Sequence, residues 1–240
     1  DGLGNDFIII DQRLKIHDLT KKQIMKICDR KFFGCDQLIY IKKSKLTDAE
    51  LEFYNSDGSK AGACGNGTRC VAYLLSKKDP QIELKDEILL GASRVQISKI
   101  FKDKIVETNI GRAFFDWDKI PLKKEVNTKN LNIRLIDNDG KEQFGGMAVN
   151  VGNPHVIFFV ENIENINLSK IGPEIENHEL FPDRCNVTLA KIINRDLIKV
   201  KVWERGAGLT KACGTAACAT AVAAHKQDLS NSKVSIEFKL

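Results

Sequence analysis

The sequence predicts two α+β units, each a mostly antiparallel sheet with a helix packed on it. Three observations carry this. Short strand patterns outnumber helical ones and are joined by short connections. Unusual residues recur at a nearly constant offset of 148 or 149 positions. The composition shifts around residues 111–121, which divides the chain into halves 1–112 and 113–240. With 240 residues, 42% of them apolar, there is enough chain for two cores.

The elements follow in order. Residues 7–10 form a β-branched run, read as a buried strand. Thr20 with Gln23 makes a capping box, and Ile24, Ile27 and Cys28 share a helix face behind it. Residues 38–41 and 51–54 read as strands, and 55–59 as a turn. Residues 67–77 have helical spacing through Cys70, Val71, Leu74 and Leu75. Alternating patterns return at 94–100 and 104–110. In the second half, strands are expected at 133–136, 156–160, 186–189 and 198–202, and helices at 168–177 and 214–224.

Bulk composition excludes several classes. The net charge of +5 comes from scattered lysine pairs, with no basic stripe or nucleic-acid motif. No apolar run reaches the length of a membrane span. No signal-peptide pattern opens the sequence, and it does not begin with Met, so a natural N-terminus further upstream is expected. Seven cysteines, an odd number, point to a reducing cytoplasm. No metal is expected, since neither Cys64 and Cys70 nor Cys213 and Cys218 have ligand spacing. No P-loop or dinucleotide fingerprint is present, and nothing marks a lysine for pyridoxal phosphate.

The chemistry lies in the repeat. Ala-Cys-Gly occurs at 63–65 and at 212–214, and Cys64 and Cys213 are 149 positions apart. Gln37 and Asn186, and Asn55 and Glu204, keep the same offset; Asn5 and Asn153 are 148 apart, each after a glycine. Each cysteine stands where a helix should start, with Gly65-Asn66 or Gly214-Thr215 behind it. Free amides there favour an anion such as a carboxylate. The same field is expected to lower the thiol pKa from its reference of about 8.5. Two matched thiols suit an enzyme that removes a proton from one face of a carbon and returns it to the other. Cys28, Cys70 and Cys218 fall on apolar helical faces and read as core. Glu204-Arg205 ends a strand before a glycine-rich turn, where Arg offers a fork for a carboxylate and Glu an acceptor for an ammonium. His155, beside the repeated Gly-Asn, is placed to tune a thiol.

These residues resemble a known family. Gly2-Leu3-Gly4-Asn5-Asp6-Phe7, the run from Ala63 to Arg69, Gly152-Asn153-Pro154-His155, and Glu204 to Gly208 with Ala212-Cys213-Gly214-Thr215 are similar to diaminopimelate epimerase, in that family's order. The resemblance implies two pseudo-symmetric domains, each a barrel-like sheet around a central helix. It implies cofactor-independent interconversion of LL- and meso-diaminopimelate, in the route to lysine and peptidoglycan. Cys64 and Cys213 would be the acid/base thiols, and His155 and Glu204 their modulators. Gly65, Asn66, Gly214 and Thr215 would hold the reacting carboxylate. Asn55, Asn153, Asn186 and Arg205 would recognise the distal end, and Asn5 and Gln37 fall on substrate-site positions. A small-molecule partner is implied, with a homodimer compatible.

Three departures stand out. Asp1 replaces the usual His, and Cys35 the usual Ala, adding a thiol near the site. The chain ends at Leu240 without a Met-Thr-Gly-Pro-like turn; either that portion is absent from the sequence or the protein is shortened. The nearest rival reading is a two-thiol racemase for proline, hydroxyproline or histidine. Arg205 with Asn55 and Asn186 favours a substrate with a second amino-acid group. A non-enzymatic redox or metal-binding protein is the rival from another class, and the cysteine spacings disfavour it.

Overall fold

A computed structural model describes residues 4–62, 64–102 and 105–238. Asp1, Gly2, Leu3, Ala63 and Lys104, which carry parts of the motif and strand readings above, lie outside the described residues. The chain separates into two compact units, Asp1–Gly111 and Arg112–Leu240.

Unit 1 holds β1 (Phe7–Asp11), α1 (Lys21–Cys28), β2 (Gln37–Lys42), β3 (Ala49–Asn55), β4 (Lys60–Ala61), α2 (Gly65–Lys78), α3 (Pro80–Glu83), β5 (Ile88–Gly91), β6 (Gln96–Ile100) and β7 (Val106–Asn109). Its sheet runs β1-β2-β3-β5-β6-β7, with β4 on β3. The capping box forms as read: the Thr20 side chain accepts from the Gln23 amide, and the Gln23 side chain accepts from the Thr20 amide. Strand β2 shows why the sheet needs cover on both faces. Leu38 and Tyr40 pack with Ile24 and Cys28 of α1. Ile39 and Ile41 point the other way, into a cluster with Val71, Ala72 and Leu75 of α2. The strand period of two sends alternate residues to opposite cores.

Unit 2 holds β8 (Ile133–Ile136), β9 (Glu142–Gly145), β10 (Met147–Asn150), β11 (Pro154–Phe159), α4 (Leu168–Glu176), β12 (Asn186–Asn194), β13 (Leu197–Glu204), β14 (Gly208–Thr210), α5 (Gly214–Lys226) and β15 (Ser235–Phe238). The main sheet runs β10-β11-β12-β13-β14, with β15 also on β13. Val156, Phe158, Val187 and Leu189 pack with Leu168, Ile171 and Ile175 of α4. Helix α5 packs on β10, β11 and β12. Its buried residues Ala216, Ala219, Thr220, Ala223 and Ala224 recur at helical spacing, and their small size allows a close approach.

The units repeat one another at matched positions of strands and helices. In parallel pairs, Phe7 faces Gln37 and His155 faces Asn186. In antiparallel pairs, Phe53 faces Ala61 and Val202 faces Thr210, each 149 positions on. Helices α2 and α5 start at Gly65 and Gly214, also 149 apart. Each sheet is therefore mixed, with more parallel pairing than the alternation suggested. The parallel pairs β1–β2, β3–β5, β11–β12 and β13–β15 each span a helical crossover. A parallel neighbour needs such a crossover, and short apolar runs do not announce direction.

Candidate active site

In unit 1, Cys64 is the N-cap residue of α2, with extended backbone at φ −144°. Its sulfur accepts the Gly67 amide at 3.3 Å and lies 4.0 Å from Asn5 Oδ1. The helix start is tightly seated: residues 65–68 are all buried. A Cβ at Gly67 would stand 2.7 Å from Ile39 Cδ1 and 3.0 Å from Phe53 Cε1, so glycine is what lets this amide reach the sulfur. Asn66 Oδ1 accepts from Arg69. Asn5 is held in turn by Asp36, whose Oδ2 accepts its side-chain amide at 2.8 Å. Arg30 bridges Asp6 and Asp36, and holds the Asp6 carboxyl down at about 2. Gln37 and Asn55 face each other across β2 and β3, with Gln37 Nε2 donating to Asn55 Oδ1 at 2.9 Å.

In unit 2, Cys213 is the N-cap residue of α5 with nearly the same backbone, φ −137°. Its sulfur is 3.3 Å from the Thr215 hydroxyl. Burial pushes this thiol well above its usual value, and the adjacent Glu204 carboxylate pushes it further; the Thr215 hydroxyl and the Ala216 amide pull the other way. The expected lowering by the helix start is therefore overturned at Cys213, because loss of hydration outweighs two donors. Glu204 ends β13, and the Arg205 amide donates to Asn186 Oδ1 at 3.0 Å. Asn186 Nδ2 donates to the Pro154 carbonyl at 2.9 Å, and Arg205 Nη1 to the Asp183 carbonyl at 2.8 Å. His155 is fully buried, and Nε2 pairs with Asn153 Oδ1 at 2.9 Å. Burial, then the charge of Arg205, hold it down at about 3, so the ring is neutral. Nδ1 has no hydrogen-bond partner among the described residues.

In unit 1 the structure joins Asn5 with Cys64, Gln37 with Asn55, and puts Gly65 and Asn66 in the first turn behind Cys64. It joins Asn153 with His155, Asn186 with Arg205, and Glu204 and Thr215 with Cys213 in unit 2. Sequence reasoning missed Asp36, which holds Asn5, and Glu176, which holds the Arg205 turn. No spacing marks either, since each works through partners distant in sequence. The added thiol of Cys35 is buried against Cys28, sulfur to sulfur at 3.4 Å, and desolvation pushes it up to about 12. Cys70 and Cys218 are partly exposed on their helices rather than core. Among the described residues, no group of three or more His, Cys, Asp or Glu is placed to hold a metal, and no helix is long and apolar enough to cross a membrane. A cavity of about 220 Å³ near Phe144, Met147 and Gln227 contains none of the candidate residues.

Two mixed sheets, each with a helix starting at a matching position, define the class of protein by its fold, which solved structures share. A hydroxyproline epimerase from Agrobacterium vitis shares the fold at TM-score 0.63 and 12% identity, over 88% of this chain and 66% of that one. A Bacillus anthracis phenazine biosynthesis protein of the PhzF family does so at 0.60 and 15%, over 92% and 75%. Within that class, the chain belongs to the diaminopimelate epimerase family, whose model matches residues 1–115 and 147–240. It is 61% identical over 240 residues to a diaminopimelate epimerase of Pelagibacter ubique, covering all of this chain and 86% of that protein. It is 42% identical over 236 residues to that of Sphingopyxis alaskensis, covering 98% and 83%.

Proposed function

We propose that this chain interconverts LL- and meso-diaminopimelate with two thiols and no cofactor, in the cytoplasmic supply of lysine and peptidoglycan precursor. The observation that carries the reading is the repeated N-cap: Cys64 and Cys213 occupy the same position of helices 149 residues apart. One thiolate takes the α-proton, and the other thiol donates from the opposite face. Each works at roughly 3–3.5 Å from the carbon and exchanges roles in the reverse direction. Burial and the Glu204 carboxylate favour the protonated form of Cys213, the form that donates when Cys64 is the base.

The reacting carboxylate sits on the amides at Gly65-Asn66 and Gly214-Thr215, where preorganised donors offset the developing negative charge. Asn55, Asn153, Asn186 and Arg205 receive the distal amino acid, with Asn5 and Gln37 completing the wall. Glu204 modulates Cys213 directly, and neutral His155 orients Asn153. The residues that favour diaminopimelate over a cyclic imino acid are Arg205 and its partner Asn186, since a second charged end needs a fork.

The test is incubation with LL-diaminopimelate in heavy water, with chiral and mass analysis. The inverted product should carry one solvent deuteron, with little in recovered substrate at early times. Equal early labelling of both would point to a single base. No inversion at all would remove the reading.

A further inference from the structure

We infer that Glu176 is a positioning residue that sets the Glu204-Arg205-Gly206 turn for recognition of the substrate's distal end, an inference that rests on the function proposed above. Glu176 is the last residue of α4 and is 5% exposed. Both carboxylate oxygens are engaged. Oε1 accepts the Gly206 amide at 3.0 Å and Arg184 Nη1 at 3.0 Å; Oε2 accepts the Trp203 indole N–H at 2.7 Å. Its main-chain carbonyl accepts the Cys185 amide at 3.2 Å. One residue therefore ties together 184–185, just before Asn186, and 203–206, which contain Glu204 and Arg205.

Two further features show how much the arrangement is built around this carboxylate. The Trp203 ring lies over Gly172, one turn earlier on α4, where a Cβ would come within 2.6 Å of it. Arg184 holds a left-handed φ of 59°, a conformation that non-glycine residues rarely adopt. Its guanidinium pairs with the Glu176 carboxylate at 3.0 Å.

The matching turn of unit 1 explains why an external brace is needed. There Asp57 Oδ1 accepts the Ser59 amide at 2.8 Å and its hydroxyl at 2.6 Å, so residues 55–59 brace themselves. The unit 2 turn is Gly206-Ala207-Gly208, with φ of 75° and 84° at the glycines and no polar side chain after Arg205. The role that Asp57 plays locally falls to α4. A carboxyl group suits it, because three donors converge and its two oxygens carry enough lone pairs to accept from all of them.

The experiment compares Glu176→Gln with Trp203→Phe. The glutamine sets an NH₂ against one of the three donors and removes the charge that Arg184 and the Gly206 amide face; the phenylalanine removes only the Oε2 contact and leaves that charge in place. Glu176→Gln should raise KM for diaminopimelate about tenfold, the scale of one charge-assisted hydrogen bond, with kcat within about threefold. Amide hydrogen exchange at Gly206 should quicken about tenfold in the same variant. Trp203→Phe should leave both readouts within about twofold, since Oε1 still holds Gly206. Unchanged KM and exchange in Glu176→Gln would overturn the inference, as would equal effects in Trp203→Phe. If the wild-type protein leaves LL-diaminopimelate unconverted, the functional reading falls and takes the substrate part with it. Gly206 exchange then decides the brace alone: faster upholds it, unchanged overturns it.

Discussion

Cys64 and Cys213 cap helices that begin at matching positions, yet their surroundings differ. Cys64 is partly exposed, takes an amide from Gly67 and lies beside Asn5. Cys213 is buried beside a carboxylate, and its thiol is pushed well up. A helix N-terminus alone therefore does not decide the state of a thiol. The field of a few amides acts on both, but desolvation and a neighbouring negative charge are the larger influences where water is excluded. The same duplication has diverged at the adjoining turns, one braced by its own Asp57 and the other by distant Glu176.

The strongest way to break this comparison is to remove either thiol. Cys64→Ala and Cys213→Ala should each lower epimerisation by about a thousandfold or more, consistent with loss of a positioned acid or base. Chiral analysis of the product checks it, and full activity in either variant would end the two-thiol scheme.

The next effect separates the halves by pH. His155 occupies the register position that Phe7 holds in unit 1, so only unit 2 buries a titratable ring there. Its folded pKa of about 3 lies below the unfolded value near 6.5, so the unfolded chain binds the extra proton between those limits. Stability from this group is full above pH 6.5 and falls as pH drops, by about 2 kcal/mol at pH 5. Urea midpoints at pH 7 and 5 should show the loss in the wild type and not in His155→Gln. Equal pH slopes in the two proteins would count against it.

A smaller change tests the helix starts. Unit 1 has Gly67 where unit 2 has Ala216. Gly67→Ala should overpack Ile39 and Phe53, costing about 1–3 kcal/mol less up to about 1 regained in helix propensity. Thermal unfolding reads the net loss; a stabilised variant would mean that the pocket under α2 yields easily. Least of all, Asp57→Ala should cost about 1 kcal/mol by freeing Ser59 from its two hydrogen bonds. Comparison with Glu176→Gln in the same melting assay would show which brace matters more to its unit.

Much of this architecture was readable in advance, for identifiable reasons. The runs in β1, β2 and β11 are β-branched and apolar, and the Thr20–Gln23 box marks a helix start by local hydrogen bonds alone. Short β4 and β14 were not readable, because two or three residues carry no period. Helix α2 begins two residues earlier than its apolar spacing indicates, since the residues that seat it are Gly65 and Asn66. Parallel pairing was also hidden, because it depends on where a crossover returns rather than on the strand's own residues.

By itself, the sequence determined which groups the protein owns and where they recur: two cysteines, each before small residues, at an offset that a duplicated fold preserves. Local rules then place them at helix starts. Only the tertiary structure decided their environments, burying Cys213 while leaving Cys64 partly open, and making His155 neutral. It alone brought Glu176 to the Arg205 turn from 30 residues away. Solvation and charge depend on all the atoms that surround a group, and those neighbours come from elements far apart along the chain.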